Sequence, residues 1–394
     1  MKTERFTLED IAHLHRCRFT GPVIAVAGSN GKTTTKEMLA HVLSAKLETV
    51  KARDSYNNLV GVPLTLLKID KATQAVVLEM ETNTHGGIKR LCDIAWPAVG
   101  VVTNIGDTHL ASLGSREGVL QEKAELIQGL PVDGTMVQNN DDPCGDALLD
   151  LCNTRTRITF GIRNNAEFRA SRIEISDTCL TFILNGRHGV SLRTGFRENV
   201  YNALAAITVA HGALGMKLSD VICRLRSFMF PRQRMELLRL GELLVKNDTY
   251  NANPQSMEAA LQTLARYRRG RRRTVAVLGD MMELGPQAPE FHRRLGRSCV
   301  HHRIDVVVAV GVLARWIYRG IGELGSFCGT ILACADAMHA GGCLRPLIGP
   351  GDAVLVKGSR AMRMERIVQH LQKAISDTSG QDLATGCRPG REMP

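Results

Sequence analysis

No apolar run in the sequence is long enough to span a bilayer, and the opening MKTERFTLED lacks the apolar core of a secretion signal. A membrane-spanning or exported protein is therefore not expected, and the expected location is the cytoplasm. Although there are 11 cysteines, no C-x-x-C pair occurs. That excludes the commonest zinc and dithiol motifs, and thiols set singly in apolar stretches, such as Cys92, Cys179 and Cys223, read as buried and reduced. The formal charge of +11 owes much to Arg268, Arg269, Arg271, Arg272 and Arg273. Neither aromatic interleaving nor an RNA-binding module accompanies that run, so it reads as a solvated connection and no nucleic-acid partner is expected. A positive field would still favour small anionic substrates. There is no internal repeat.

What is present is a soluble globular composition, with 44% hydrophobic and 23% charged residues over 394 positions, a length that favours two domains. The run PVIAVA from Pro22 to Ala27 breaks at Gly28 and leads into a helical stretch from Lys32 to Leu47, giving strand, glycine-rich turn and helix. Further strands are expected at Ala75 to Leu78 and Ala98 to Thr103. This alternation predicts a mostly parallel sheet with helices on its faces, and ligands at the C-terminal strand ends, where Glu79 and Asn104 fall. From Arg157 to Leu192 the pattern changes to short alternating strands with turn signals at Asn164-Asn165 and Asn185-Gly186. Helical patterning returns at Asn199 to His211, and Pro231 to Arg234 marks a boundary. Beyond it, Leu243 to Lys246, Thr274 to Leu278, Val306 to Val310 and Ala353 to Val356 predict a second doubly wound domain.

The fold expected is therefore α/β. A phosphate-loop ATPase domain with a β-rich segment spans 22–230, and a Rossmann-like domain spans 231–375. A helix remnant at 1–21 precedes them, and a polar tail at 376–394 is expected to be disordered.

Gly28-Ser29-Asn30-Gly31-Lys32-Thr33-Thr34 lies where a strand hands over to a helix. Small residues there let backbone N–H groups face phosphate oxygens, Lys32 supplies a point charge, and the Thr33 hydroxyl can ligate magnesium. The strict Walker spacing is not met, because Val26 stands where its first glycine would be.

VIAVAGSNGKTTTKEM resembles the ATP loop of the Mur ligase family. SYNNLVGVPLTLL, NDTYNANPQSM, AVLGDMMELG and VLVKGSRAMRMERIV extend the likeness from about residue 22 to 372 and point to its D-alanyl-D-alanine-adding branch. The resemblance implies an ATP-dependent ligase of cell-wall precursor synthesis that activates a carboxylate as an acyl phosphate. ATP would lie between the domains, whose closure would exclude water. It implies that Lys32 and Thr33 hold the β- and γ-phosphates and one magnesium ion. Glu79 would ligate magnesium, His109 would help bind a second ion, and Lys123 would be carbamylated. It assigns Asn199 and Asn202 to adenine, Arg234 and Asp248 to phosphate and ribose, and Lys357, Ser359 and Arg360 to a loop near the reaction centre. Tyr250, Asn251 and Asn253 would meet D-alanyl-D-alanine, and Asn57 and Asn58 the UDP-muramoyl peptide, with Asp280 and Glu283 as weaker amine-substrate contacts.

Taken alone, these residues have plainer readings. Lys123 reads as a solvated helix lysine, His109 as a hydrogen-bonded structural histidine, Asn199 as a helix cap with an exposed amide, and TYNANP as a turn with Pro254 near a helix start.

The likeness departs from the family at the beginning, where TLEDIAHLHRCRF resembles only the last helix of a uridine-binding domain. Either a separate uridine-binding polypeptide supplies that function, the carboxylate is different or shorter, or the sequence starts internally. Two other readings stay open: a folylpolyglutamate- or cyanophycin-type amide ligase, and an idle nucleotide-binding partner protein.

Overall fold

A computed structural model describes residues 6–270 and 272–384, with side chains described to residue 374. The chain forms two compact units. One contains the residues up to Pro231 together with Glu283–Gly285, and the other contains Arg232–Met282 and the chain from Pro286 onward.

The first unit is organised by a nine-stranded sheet. Its strands are β1 (Val23–Ala27), β2 (Thr49–Lys51), β3 (Ala75–Glu79), β4 (Val99–Val102), β5 (Thr135–Asn139), β6 (Thr156–Gly161), β7 (Phe168–Ile175), β8 (Leu180–Leu184) and β9 (His188–Leu192). The order is β2-β3-β1-β4-β5-β6-β7-β8-β9. Pairing is parallel from β2 through β7 and antiparallel across β7, β8 and β9. VIAVA and AVVLE are buried at every position, as continuous apolar strands covered on both faces must be. The β-rich segment continues this sheet, and Phe182, Leu184, Val190 and Leu192 join the same core as Ile24, Val26, Leu39 and Val101. The hairpin between β8 and β9 turns on Asn185 and Gly186, both with positive φ (49° and 69°), which is the turn chemistry Asn-Gly provides.

Because β1 lies between β3 and β4, the strand order reverses at β1, and a crevice opens beyond its C-terminal end. The phosphate loop, Glu79 and Asn104 are placed around that point by chain connectivity alone.

The second unit has six strands, β10 (Glu236–Leu240), β11 (Leu243–Asp248), β12 (Thr274–Gly279), β13 (Val306–Val310), β14 (Thr330–Cys334) and β15 (Ala353–Lys357), in the order β10-β11-β15-β12-β13-β14. Only the β10–β11 pair is antiparallel. Asp248 and Lys357 end neighbouring strands and are register partners. Helix Pro254–Arg269 starts with Pro254 at its first position behind an Asn253 capping box.

Two expectations need correction and one needs refinement. Cys92 is buried, but Cys179 and Cys223 are exposed. Cys179 follows the turn after β7, and Cys223 lies on the outer face of helix Leu218–Arg226, whose buried residues are Val221 and Leu225. The arginine run is exposed at Arg268, Arg269 and Arg273, as a solvated connection would be, but it is also bonded to the fold. Arg268 bonds the Arg303 carbonyl (2.6 Å) and Asp305, Arg272 bonds the Gly351 carbonyl (2.7 Å), and Arg273 bonds Asp352 (2.7 Å) and the Leu347 carbonyl (2.6 Å), while Arg271 lies outside the described residues. These arginines fasten the strand ends of the second unit. Finally, helix Glu365–Ala384 continues past 376, where the tail was expected to begin. Propagating a helix already nucleated costs little, and polar composition does not stop it. Residues 385–394 lie outside the described residues.

Candidate active site

The loop after β1 is held open by its own backbone and by the segment after β4. Gly28 has φ 132°, and a Cβ there would stand 2.1 Å from Thr103 Oγ1. Gly31 has φ 84°, and a Cβ would stand 2.3 Å from Asn202 Oδ1. Both positions therefore require glycine. Ser29 N–H donates to the Asn104 carbonyl (2.8 Å), Asn30 N–H to Asn104 Oδ1 (2.9 Å), and Thr103 Oγ1 to the Asn30 carbonyl (2.6 Å). Helix Lys32–Leu43 begins immediately afterwards, so its first-turn N–H groups and the positive end of its dipole face the loop.

Lys32 is nearly buried, and Nζ reaches the Gly28 carbonyl (2.7 Å), the Ser29 carbonyl (3.3 Å) and Glu81 Oε1 (2.6 Å). Glu81 Oε1 also meets His109 Nε2 (3.2 Å), and Glu81 Oε2 accepts from Asn57 Nδ2 (3.2 Å). Burial pushes the Glu81 carboxyl up, but the charge of Lys32, the bond to His109 and the charge of Lys123 outweigh it and hold the carboxyl well below the usual range. Asn57 Nδ2 also donates to Glu79 Oε1 (2.9 Å). Glu79 Oε2 is buried, accepts no hydrogen bond, and lies 4.0 Å from Lys36 Nζ.

His109 has φ 53°, and its Nδ1 meets Glu283 Oε2 at 2.6 Å. Burial alone would lower its pKa, yet the bonds to Glu283 and Glu81 raise it to about 9. In this arrangement the ring is an imidazolium paired with two carboxylates, and ligating a metal would require it to lose a proton and release Glu81.

Lys123 is fully buried, and the reading of it as a solvated helix lysine is overturned. It lies 2.7 Å from Glu122 Oε2 in an ion contact whose angle makes no hydrogen bond, while Glu122 Oε1 accepts from Thr82 Oγ1 (2.7 Å).

The orphaned oxygen of Glu79 gives a divalent cation one buried anionic ligand beside the phosphate loop. Among the described residues no three His, Cys, Asp or Glu side chains are grouped so as to hold an ion alone. That pattern fits magnesium, which takes one or two carboxylates and completes its shell with phosphate and water.

In the second unit Lys357 Nζ donates to Asp248 Oδ2 (2.6 Å) and to the Asn251 carbonyl (2.9 Å), and Asp248 Oδ1 accepts from Met235 N–H (3.0 Å). The Arg234 guanidinium stacks over the Tyr250 ring, 3.9 Å from its centroid. Ser359 Oγ accepts from Met282 N–H (2.8 Å), and Arg360 pairs with Glu365 (3.2 Å) at the surface.

The family models for the Mur ligase middle domain and the Mur ligase glutamate ligase domain match residues 26–210 and 233–360. The chain belongs to the Mur ligase family. It is 34% identical over 370 residues to the UDP-N-acetylmuramoyl-tripeptide–D-alanyl-D-alanine ligase of Bacillus subtilis, a match covering 92% of this chain and 79% of that one. With the enzyme of the same description from Mycobacterium tuberculosis H37Rv it shares 36% over 384 residues, covering 91% and 74%. A crystal structure of MurF from Acinetobacter baumannii superposes with a TM-score of 0.86 at 31% identity, covering 93% and 80%. MurF from Thermotoga maritima in complex with ADP gives 0.83 at 27% identity, covering 96% and 87%.

For this Mur ligase the structure thus links Lys32, Glu79, His109 and Asn57 through the Glu79 and Glu81 carboxylates, with the charge of Lys123 also acting on Glu81. Other expected site residues are engaged in the fold. Asn58 Oδ1 accepts from Val60 and Gly61 N–H at the start of helix Gly61–Leu66 (3.1 and 2.9 Å), and Asn253 caps its own helix. Asn199 is no exposed amide: it is buried, bonded to Thr194 Oγ1 (3.0 Å) and Asn202 (2.9 Å). Asp280 is not a solvated acid, since it is buried and accepts from Leu313 N–H (3.1 Å), and burial raises its pKa. Sequence reasoning missed Glu81, Lys36, Glu122 and Thr82. Lys36 is fully buried and donates to the carbonyls of Ala52 (2.9 Å) and Asp54. One signal was present: Glu81 continues the strand-end stretch of Glu79, and Lys36 lies one helical turn beyond Lys32.

Proposed function

We propose that this chain is an ATP-dependent ligase that joins D-alanyl-D-alanine to the terminal carboxylate of a UDP-N-acetylmuramoyl tripeptide in cell-wall precursor synthesis. The observation that carries the reading is the buried carboxylate oxygen of Glu79 that accepts no hydrogen bond, beside a glycine-shaped phosphate loop, in a chain of this similarity to ligases so named.

The loop from Gly28 to Thr34 would hold the triphosphate through backbone N–H groups and Lys32, with Thr33 and Glu79 supplying magnesium ligands. Magnesium, when bound, neutralises charge on the γ-phosphate and on the incoming carboxylate. The substrate carboxylate oxygen attacks the γ-phosphorus, the bond to the bridging oxygen breaks, and ADP leaves an acyl phosphate. The dipeptide amine then attacks the acyl carbon, the nitrogen loses a proton, and phosphate departs. Lys32 and Lys357 would stabilise charge developing in these steps. Two magnesium ions, with Lys123 carbamylated and His109 near the second, belong to the same proposal. So do adenine at Asn199 and Asn202, phosphate at Arg234, ribose at Asp248, and the dipeptide at Tyr250 and Asn251.

Purified protein with ATP, magnesium, D-alanyl-D-alanine and the UDP-linked tripeptide should yield the pentapeptide by mass, with ADP release depending on both carboxylate and amine. Product with other carboxylates but not this one would keep the ligase and discard the substrate. ADP formed at full rate without amine would count against the exclusion of water from the acyl phosphate, and ADP formed at full rate without the carboxylate would remove the acyl-phosphate sequence.

The proposal includes a separate uridine-binding polypeptide, supported by an exposed apolar row of Ile11 and Leu14 on helix Leu8–Arg16, with Phe6 before it. Equal turnover of the tripeptide with and without its UDP group would support that partner. A preference of about tenfold or more for the UDP-linked form, about 1.4 kcal/mol, would place uridine recognition in this chain and remove the partner.

A further inference from the structure

The phosphate-loop lysine has a charged partner within the chain. Lys32 Nζ donates to the Gly28 carbonyl at 2.7 Å and the Ser29 carbonyl at 3.3 Å, and it lies 2.6 Å from Glu81 Oε1 in an ion contact. The first two are part of the loop's own geometry. Glu81 is the charged partner, and it is held in place from three sides by Lys32, His109 Nε2 (3.2 Å) and Asn57 Nδ2 (3.2 Å). Its side chain is 23% exposed and that of Lys32 is 9% exposed, so the pair is screened far less than a surface ion pair.

We infer that Glu81 is an internal anion that occupies the phosphate position on Lys32 and sets the selectivity of the loop between nucleotides. This rests on the reading of Gly28–Thr34 as an ATP site. A triphosphate oxygen that takes up Lys32 competes with the Glu81 carboxylate for it, and while Glu81 stays close its charge repels the γ-phosphate. A diphosphate places less charge near Glu81 and meets less of that opposition. Glu81 therefore penalises ATP more than ADP when no cation is present. A divalent cation arriving with ATP offsets the carboxylate and relieves the penalty. Glu81 also explains why Asn57 lies here: its one amide nitrogen bridges Glu81 and Glu79, and so orients both carboxylates.

The test is equilibrium binding of ATP and ADP to the full chain and to Glu81→Gln and Glu81→Ala, by calorimetry, once in excess EDTA and once in magnesium. Circular dichroism and thermal melting establish that the variants are folded. Without metal, both variants should bind ATP about tenfold or more tightly than the parent chain, with a smaller gain for ADP, and the ATP gain should shrink in magnesium. Unchanged or weaker metal-free ATP binding in both folded variants would overturn the inference. So would a loss confined to magnesium conditions, since that would make Glu81 a metal ligand. No nucleotide binding to the parent chain in magnesium would instead sink the ATP-site reading, and the inference with it.

Discussion

Replacing Gly28 with alanine tests whether the loop's geometry is dictated by the close approach of β1 and the segment after β4. The new Cβ would stand 2.1 Å from Thr103 Oγ1, 3.0 Å from Thr103 N and 3.1 Å from Asn104 N, at a backbone φ of 132°. The hydroxyl cannot swing away freely, because it donates to the Asn30 carbonyl, and the two nitrogens are backbone. A backbone conformation reserved for glycine costs about 1–3 kcal/mol, and overpacking a well-filled site costs about as much again. The first unit should therefore lose about 2–5 kcal/mol in denaturant unfolding, followed by a probe within it. Nucleotide binding should fall as well, since Ser29 and Asn30 are fastened to Asn104 by the same contact. Adding Thr103→Ala removes the 2.1 Å clash and leaves the φ strain and the Asn104 contact, so the double variant should recover part of the loss and not all of it. A Gly28→Ala protein within about 0.5 kcal/mol of the parent would refute the reasoning, as would full recovery in the double variant.

Lys36→Met, close in shape but uncharged, should cost about 3–5 kcal/mol, because it strips a fully buried cation from two backbone carbonyls and from Glu37 and Glu79; a loss below about 1 kcal/mol by urea titration would show the pair to be replaceable. Glu258 accepts from His302 Nε2 at 2.6 Å, and that bond, against the opposing effect of burial, lowers its pKa from 4.5 to about 2. A depressed carboxyl contributes stability that is present above the unfolded value and lost as pH falls, here between 4.5 and about 2. The full shift would correspond to about 3 kcal/mol, but with the Glu258 side chain 39% exposed, screening reduces this to about 1 kcal/mol. The stability gap between the parent chain and Glu258→Gln should close across that window, and a gap that stays constant down to pH 2 would contradict it. If Lys123 is carbamylated, activity should fall in carbonate-free buffer and return with carbon dioxide, and carbon-13 labelling should give a carbamate resonance that Lys123→Met lacks. Absence of that resonance from active enzyme would reject the modification.

The fold was legible because its central strands are continuous apolar runs: VIAVA, AVVLE, VVVAV and AVLVK each carry burial on both faces in the sequence itself. β14 escaped for the opposite reason. TILAC is an edge strand with only Cys334 buried, and its short apolar run lacks the β-branched repetition and two-sided burial of the central strands. β2, with three residues and none buried, gave no signal at all. Of the site, the phosphate loop could be read because its glycines answer a backbone demand, which is local. Glu81 and Lys36 were marked only by their spacing from Glu79 and Lys32, and Glu122 not at all, because a charged residue in a sequence looks solvated until the chain closes around it. Lys123 was the same kind of residue, and only the family likeness singled it out; its burial on helix Arg116–Gln128, in contact with Glu122, depends on packing that no window of sequence contains.

The buried charges around β3 also bear on why a metal would be needed. Five carboxylates (Glu37, Glu79, Glu81, Glu122 and Glu283) face five cations (Lys32, Lys36, Lys51, Lys123 and the His109 imidazolium). The site is thus already in charge balance. Bringing in a triphosphate and then a substrate carboxylate would add several more negative charges to a poorly solvated corner, where each uncompensated charge costs several kcal/mol. The existing lysines cannot offset that, since each is already paired. Carbamylating Lys123 would turn one of the five cations into an anion and leave two negative charges in excess. On the proposed reading, therefore, divalent cations must enter with the substrates, and a modified Lys123 makes a second ion more necessary than the first.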